Sequence, residues 1–238
     1  MAALALGCVS VTALRRHRLV WLGADAWRRV LEPSSDAAPW DAQALECLSH
    51  WSEHDLPLVV TRQPPTWSGH RGDEPLALGL AASERWGRRR LFVEVSASAV
   101  RRVGEFAGVD AIAGTVPTHA LEGFRALCAG FDRLRVAVRV YGSYGWQQLT
   151  GLAYVHEHSD IDLLATVETP PQADAVVALL QRVPFDAPRV DGEIVFGDAT
   201  AIAWREWAAW RSGQVERVLV KRLCGAALED AQTWAVRR

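Results

Sequence analysis

The chain has 238 residues, with 26 Lys and Arg against 28 Asp and Glu, so its formal net charge is −2 at pH 7. A general nucleic-acid-binding domain is usually strongly basic, and this balance argues against one. Half of the residues are hydrophobic and 23% are charged, which is typical of a globular protein with ample apolar material for a core. The length fits one large domain or two small ones. No stretch approaches the roughly 18–20 uninterrupted apolar residues of a membrane-spanning helix, so we expect no transmembrane segment.

The N-terminal residues and the cysteines favour a cytoplasmic protein. The segment before Cys8 contains no basic residue and is shorter than the apolar core of a secretion signal. The cysteines are far apart in sequence and form no Cys-x-x-Cys pair, a spacing that suits neither a zinc site nor a small disulfide framework. We therefore expect reduced, mostly buried thiols in the cytoplasm. The four cysteines are Cys8, Cys47, Cys128 and Cys224.

Helical and strand patterns alternate in the first half of the chain, which indicates a mixed α/β N-terminal domain. Helices are predicted where apolar residues recur at helical spacing, and strands where short apolar runs are bounded by Gly or Pro. We place a domain boundary near Ala129-Gly130, which gives domains of residues 1–129 and 130–238. The predicted helices are 25–31, 41–54 and 121–134, and the predicted strands are 58–61, 76–81 and 91–95.

The second half of the chain is punctuated more clearly. A valine-rich strand over 136–141 is predicted to run into Gly142-Ser143, where a helix begins, and a second strand is predicted over 160–167. Thr169-Pro170 fits the N-cap and first position of a further helix. The other predicted features are hairpin turns at Asp191-Gly192 and Gly197-Asp198, strands over 193–196 and 200–204, and helical regions over 205–211 and 215–228.

Asp160 and Asp162 begin the second of these strands and are separated by one isoleucine. Because side chains alternate along a strand, both carboxylates lie on one face with Cα atoms ~6–7 Å apart. Two carboxylates this close on a largely buried strand repel each other, and a divalent metal with hard oxygen ligands relieves that conflict. Upstream, Gly142-Ser143 at a helix start offers backbone N–H groups and a hydroxyl to an anion. The pattern predicts a phosphate-binding turn that faces a metal site.

Each half of this pattern is common by itself, because Gly-Ser turns are frequent and Asp-x-Asp pairs often lie at solvated strand edges. Their order, strand, Gly-Ser, helix and then an Asp-Ile-Asp strand, is what favours metal-dependent chemistry. A competing segment, His50-Trp51-Ser52-Glu53-His54, matches the H-x-x-E-H pattern of one zinc-peptidase group. We discount it because His54 is followed by Asp55-Leu56-Pro57, so the ligands would fall on a terminating turn.

The residues around the two main motifs resemble a known family. The Gly-Ser turn followed by an Asp-hydrophobic-Asp strand is similar to the nucleotidyltransferases of the polymerase-β type. The longer string is similar to the malonate decarboxylase holo-acyl-carrier-protein synthases, also called phosphoribosyl-dephospho-CoA transferases, and the similarity extends from Val136 to Lys221. The residues that carry it are Tyr141, Gly142, Ser143, Trp146, Gln147, Leu149, Thr150, Gly151, Tyr154 and those of segments 159–164, 191–196 and 203–206.

The resemblance implies an α+β protein whose C-terminal domain has the nucleotidyltransferase fold, a mixed sheet with flanking helices. It implies a Mg²⁺- or Mn²⁺-dependent reaction of 2′-(5″-triphosphoribosyl)-3′-dephospho-CoA. A serine hydroxyl of the apo acyl-carrier subunit of malonate decarboxylase would attack the phosphate next to the ribose, and pyrophosphate would leave. Such a transfer depends mainly on positioning and charge neutralisation and needs no protein nucleophile.

The resemblance also implies roles for the acidic residues. Asp160 and Asp162 are expected to be catalytic and to hold the metal. Enzymes of this fold usually carry a third carboxylate on a neighbouring strand, for which Glu193 is the first choice and Asp191 the second. Asp191-Gly192 also fits an ordinary hairpin turn, and Glu193 also fits a solvated strand position.

The phosphate-binding residues are expected to be Gly142 and Ser143, with Lys221 reaching the triphosphate or pyrophosphate as a point charge. Lys221 is the only lysine of the chain, and a surface lysine at the end of an amphipathic segment is an equally open interpretation. No chemistry is evident in the first half of the chain, to which we assign carrier docking or the pantetheine arm.

Two other functions remain open. An adenylyltransferase that acts on ATP and a small alcohol or another protein would keep the fold and change the substrate. A non-catalytic adaptor would keep the shape without the reaction, although the presence of both Asp160 and Asp162 argues against it.

Overall fold

The computed structural model describes residues 14–32, 40–69 and 73–230. Cys8, which bears on the question of a secretion signal, lies outside these residues. Within them, no helix combines the length and the apolar character needed to cross a membrane. The cysteines of the described part, Cys47, Cys128 and Cys224, form no disulfide with one another.

The chain divides into two compact units, Met1–Glu105 and Phe106–Arg238. This division lies earlier than the boundary predicted at Ala129-Gly130. Both of those residues fall inside one continuous helix over Thr118–Leu134, and Gly130 is buried in it. A glycine within a helix resembles a linker residue in sequence, which explains the displaced prediction.

The N-terminal unit consists of a five-stranded antiparallel sheet and two α-helices. Its elements are β1 (Leu19–Leu22), α1 (Ala24–Leu31), α2 (Ala42–Glu53), β2 (Leu58–Val60), β3 (Pro75–Ala81), β4 (Arg90–Ser96) and β5 (Val100–Gly104). The strand order is β4-β3-β2-β1-β5. The predicted elements are confirmed, whereas β1 and β5 were not predicted. β1 is a run of only four residues, all buried, and β5 carries Arg101 and Arg102 in its middle, so neither shows clear alternation.

The C-terminal unit is built on a six-stranded sheet with helices. Its elements are α3 (Thr118–Leu134), β6 (Ala137–Tyr141), α4 (Gly142–Thr150), β7 (Ile161–Val167), α5 (Pro170–Leu180), β8 (Val190–Phe196), β9 (Ala201–Ala203), α6 (Trp204–Arg211), β10 (Val218–Arg222) and β11 (Gly225–Glu229). The strand order is β11-β10-β9-β8-β7-β6. β7 and β8 run parallel and are joined through α5, while the other pairs are antiparallel. The predicted α+β class is confirmed.

The two faces of this sheet differ in chemistry. Along β7, Ile161 and Leu163 are buried in a core that also contains Phe124 of α3 and Trp207 of α6. Asp162 lies between the two apolar residues, so strand alternation directs it to the opposite face. The helices therefore cover the apolar face, and the carboxylates belong to the other one.

The helix predicted over 215–228 is wrong. The segment forms the antiparallel hairpin β10–β11, in which Arg222 pairs with Gly225 at the turn. Val218 and Val220 are buried and Leu219 and Lys221 are only partly buried, which is the period-2 pattern of a strand. The alanines that follow favour a helix by propensity alone, and the pairing of the strands overrides that preference.

The hairpin turn predicted at Asp191-Gly192 is also wrong, because both residues lie inside β8. Gly192 faces Leu163 of β7 in parallel register, and a Cβ at position 192 would lie 2.0 Å from the Leu163 carbonyl oxygen. Glycine is required here by the close approach of two strands rather than by a turn. The second predicted turn, at Gly197-Asp198, does connect the antiparallel strands β8 and β9.

Candidate active site

The predicted strand–turn–helix around Gly142 forms, and it brings this glycine against Asp162. Tyr141, the last residue of β6, pairs with Asp162 of β7, and α4 begins at the next residue. Gly142 has a φ of 61°, and a Cβ at this position would lie 1.9 Å from Asp162 Oδ2. Only glycine permits this contact between the helix start and the carboxylate. Ser143 follows in the first turn of α4, so the predicted anion-binding turn lies beside the predicted metal ligand.

The parallel pairing of β7 with β8 adds a third carboxylate. Asp162 lies in register with Asp191, and Asp160 directly precedes β7. Arg189, which directly precedes β8, connects the two outer carboxylates. Its Nη2 lies 2.5 Å and its Nε 3.2 Å from Asp160 Oδ2, and Nη2 lies 3.5 Å from Asp191 Oδ2. Three carboxylates and one guanidinium thus meet where the two parallel strands begin.

Asp162 is the carboxylate that this arrangement disfavours in its charged form. Burial, and after it the negative charges of Asp160 and Asp191, raise its pKa to about 6, although Arg189 partly opposes them. Among the described residues, no side chain or backbone N–H donates a hydrogen bond to the carboxylate of Asp162. A bound cation is the kind of partner that would offset this repulsion.

Glu193, the first choice as third carboxylate, lies deeper in β8 and is paired with Lys221. The Lys221 ammonium is 2.7 Å from Glu193 Oε1, and the side chain of Glu193 is only 6% exposed. Burying a carboxylate is costly unless a charge compensates it, and Lys221 supplies that charge. The structure therefore brings Asp191, and not Glu193, into register with Asp162, and it directs Lys221 towards Glu193.

Arg205 lies next to this cluster and was not predicted. Its Nε is 4.0 Å from Asp191 Oδ1, its Nη2 donates a hydrogen bond to the Val190 carbonyl, and its guanidinium carbon lies 4.2 Å from the centre of a Trp204 ring. Arg189 was missed as well. Because 25 of the 26 basic residues are arginine, a single arginine in this sequence carries little signal.

Comparison with known proteins identifies the family. A family model described as the phosphoribosyl-dephospho-CoA transferase MdcG N-terminal domain matches residues 15–106, and the model of the MdcG C-terminal domain matches residues 105–232. The chain belongs to the MdcG family. The two matched ranges meet where the structure divides into its two units.

Curated relatives of the MdcG family agree over nearly the whole chain. A phosphoribosyl-dephospho-CoA transferase of Xanthomonas campestris pv. campestris (strain 8004) is 35% identical over 214 residues, 90% of this chain and 92% of that protein. The Bradyrhizobium diazoefficiens protein of the same name is 31% identical over 216 residues, 90% of this chain and 89% of its own. No solved structure matches the chain. The resemblance to the phosphoribosyl-dephospho-CoA transferases is confirmed, and the protein is a transferase of this family.

The residues of the cluster fit a hard cation, provided that a substrate completes its coordination. Within the described ranges, no three His, Cys, Asp or Glu side chains are grouped tightly enough to hold a metal ion by themselves. Mg²⁺ in phosphoryl-transfer sites is usually bound by one or two carboxylates together with phosphate oxygens and water. Asp160 and Asp162 meet that requirement. The rings of the alternative pair, His50 and His54, have centroids 4.0 Å apart and planes tilted by 30°, but no third ligand joins them in the described residues.

Several residues that carried the resemblance hold the loop before Asp160. Gln147 Oε1 accepts hydrogen bonds from the backbone N–H groups of Tyr154 and Val155, at 3.0 and 2.9 Å. The Thr150 hydroxyl donates to the Trp146 carbonyl oxygen, and the buried Trp146 ring stacks on Tyr154 with centroids 6.4 Å apart. These motif residues therefore support the segment that leads into β7.

Proposed function

We propose that the protein transfers the phosphoribosyl-dephospho-CoA group from 2′-(5″-triphosphoribosyl)-3′-dephospho-CoA to a serine of the apo acyl-carrier subunit of malonate decarboxylase. The serine oxygen forms a bond to the phosphorus next to the ribose, the bond from that phosphorus to the next bridging oxygen breaks, and pyrophosphate leaves. We further propose that the C-terminal unit is a nucleotidyltransferase domain of the polymerase-β type and that the reaction takes place in the cytoplasm. The observation that supports this most is the contact between Gly142 and Asp162 in a chain of the MdcG family.

Asp160 and Asp162 are the residues that would hold Mg²⁺ or Mn²⁺, and the ion, when bound, would neutralise charge on the phosphates. The first turn of α4, from Gly142 and Ser143, supplies backbone N–H groups that no helix carbonyl uses, and these would bind the triphosphate. Ser143 adds a hydroxyl donor. The turn and the carboxylates together would hold the reacting phosphate in line with the incoming serine.

We assign the role of third carboxylate to Asp191 because it lies in register with Asp162 and about a third of its side chain (31%) is exposed. A carboxylate in this place can accept the proton that the serine loses when its oxygen bonds to phosphorus. Glu193 and Lys221 would instead form a supporting ion pair beneath the site.

The test is a transfer assay with the triphosphoribosyl precursor, Mg²⁺ and the apo carrier, in which the mass of the carrier is measured. Asp160→Asn and Asp162→Asn should each lower the rate by about 10²-fold or more, since misplacing a reacting group costs at least that much. Asp132→Asn removes an exposed carboxylate from α3 and serves as the control. A wild-type rate for Asp160→Asn would reject the site, and faster turnover of ATP than of the precursor would favour an adenylyltransferase.

A further inference from the structure

Arg189 occupies the carboxylate atoms that the proposed function needs for a cation. Two of its nitrogens contact the same atom, Asp160 Oδ2, at 2.5 and 3.2 Å, and its Nη2 also lies 3.5 Å from Asp191 Oδ2. A guanidinium and a divalent cation repel each other, and the hydrogen bonds of Arg189 to Asp160 Oδ2 compete with a cation for that oxygen. We therefore expect Arg189 to leave Asp160 when the cation binds.

The surroundings of Arg189 allow that movement. Its backbone is fixed, because its carbonyl oxygen accepts a hydrogen bond from the N–H of Ile161 at 2.8 Å. Its side chain is 58% exposed, and Asp160 and Asp191 are its only ion-pair partners among the described residues. The side chain can thus reorient about a fixed backbone without disturbing the core.

A cavity of about 650 Å³ in the C-terminal unit lies beside Arg189. Arg189 and Arg205 both line it, and its apolar wall includes Phe185, Trp204 and Ala208. Each of the two arginines also reaches a carboxylate of the site, Arg189 at Asp160 and Arg205 at Asp191. The planar fork of a guanidinium matches two oxygens of one phosphate group.

We propose that Arg189 is a substrate-binding residue that pairs with Asp160 and Asp191 while the site is empty and moves to the polyphosphate of the substrate when cation and triphosphate bind. This inference rests on the proposed function. It assigns the triphosphate a cationic partner in Arg189, with Arg205 beside it. In the empty site the Arg189 guanidinium is the counter-ion of Asp160 and Asp191, and binding of the cation and the substrate displaces it from them.

The test measures Mn²⁺ binding by electron paramagnetic resonance, first without any phosphate and then with inorganic tripolyphosphate. Arg189→Gln should bind Mn²⁺ alone about threefold more tightly, since the cation no longer competes with a weak, half-exposed ion pair for Asp160. The same variant should bind tripolyphosphate with Mn²⁺ about tenfold more weakly, since it lacks a charge-assisted hydrogen bond. Changes of opposite sign are the signature of the exchange, because a merely structural defect would weaken both.

Arg211→Gln is the matched control. Arg211 forms a similarly exposed pair with Asp174, at 2.7 Å, between α6 and α5, and its loss should change neither affinity. Wild-type Mn²⁺ affinity in Arg189→Gln, or weaker binding of both ligands, would overturn the exchange. Asp162→Asn separates the two levels of the proposal: if it binds Mn²⁺ as the wild type does, the cation site itself is rejected, whereas loss of Mn²⁺ upholds the site whatever Arg189 does.

Discussion

Gly142 shows how one residue can decide whether this site forms. The carboxylate of Asp162 fills the place where any other residue would carry a Cβ, and the backbone is left-handed at the same position. Two independent constraints therefore demand glycine, one of space and one of conformation.

We expect Gly142→Ala to lower the transfer rate by about 10²-fold, because a displaced Asp162 or α4 misplaces the reacting phosphate. Gly213→Ala is the matched control. Gly213 is also left-handed, with a φ of 76°, but a Cβ there would meet nothing within 4 Å. It should cost roughly 1–2 kcal/mol of stability and leave the rate unchanged. Steady-state rates of both variants check this prediction, and equal losses would show that backbone strain alone is responsible.

The raised pKa of Asp162 gives a second prediction, on pH. The folded protein holds a proton on Asp162 up to about pH 6, whereas the unfolded chain loses it near 3.8, so the contribution of this group to stability falls as pH rises between those values. A cation binds the ionised form, so it competes with that proton. Stabilisation by Mg²⁺, measured as a rise in Tm, should therefore be larger at pH 8 than at pH 5. Asp162→Asn should remove the difference, and a pH-independent Mg²⁺ effect in the wild type would contradict the assignment.

At the residue scale, the sequence was sufficient to predict a candidate site residue where that residue type is rare among its neighbours. Two aspartates on an apolar strand indicate a charge conflict, and Gly142 follows a strand directly, so both could be predicted. Arg189 could not, because the chain is rich in arginine and the contact depends on the register of β7 with β8. Glu193 and Asp191 could not be distinguished for the same reason, since strand alternation directs both to one face.

At the scale of the elements, the ion pair between Glu193 on β8 and Lys221 on β10 links two strands of the sheet across its charged face. Both strands also pair with β9, which lies between them. The local sequence predicted only part of β8, and it predicted a helix in place of β10, because neither segment reveals which strand it pairs with. The pairing of distant strands, and not local propensity, fixes these elements.

We expect Lys221→Met to lower the free energy of unfolding by about 3 kcal/mol, because it leaves the nearly buried Glu193 without its counter-ion. The double variant Lys221→Met, Glu193→Leu should recover most of that loss, since two apolar residues need no compensation. Guanidinium chloride unfolding of the three proteins measures both effects. If the unfolding midpoint of Lys221→Met is unchanged and its KM for the precursor is raised, Lys221 binds the triphosphate instead of stabilising the fold.

At the scale of the whole molecule, each unit has its own sheet, and the proposed catalytic residues all lie in the second unit. The first unit contributes no residue to the proposed chemistry. The patterns in the sequence predicted two domains, and the resemblance to the family implied the α+β class. The predicted boundary fell inside α3 because Gly130, which is buried against the Leu179 side chain, resembles a linker residue in sequence.

We expect residues 106–238 to fold without the N-terminal unit and to bind Mn²⁺ as the full chain does. The hydrophobic core around Phe124, Leu163 and Trp207 is formed by residues of this unit, so the apolar faces of its sheet and helices cover one another. Circular dichroism and Mn²⁺ titration of this fragment check the prediction. An unfolded fragment would show that the second unit depends on the first for its stability.

The parallel pairing of β7 with β8 determines when, during folding, the carboxylates of the proposed site come together. Parallel neighbours need a long crossover, here through α5, so Asp162 and Asp191 meet only after some thirty intervening residues have been organised. Before β8 docks, Asp162 lacks one of the anionic neighbours that raise its pKa. Docking of β8 thus completes the cluster of negative charges around Asp162, and in a nascent chain that has not reached residue 191 the proposed site lacks its third carboxylate.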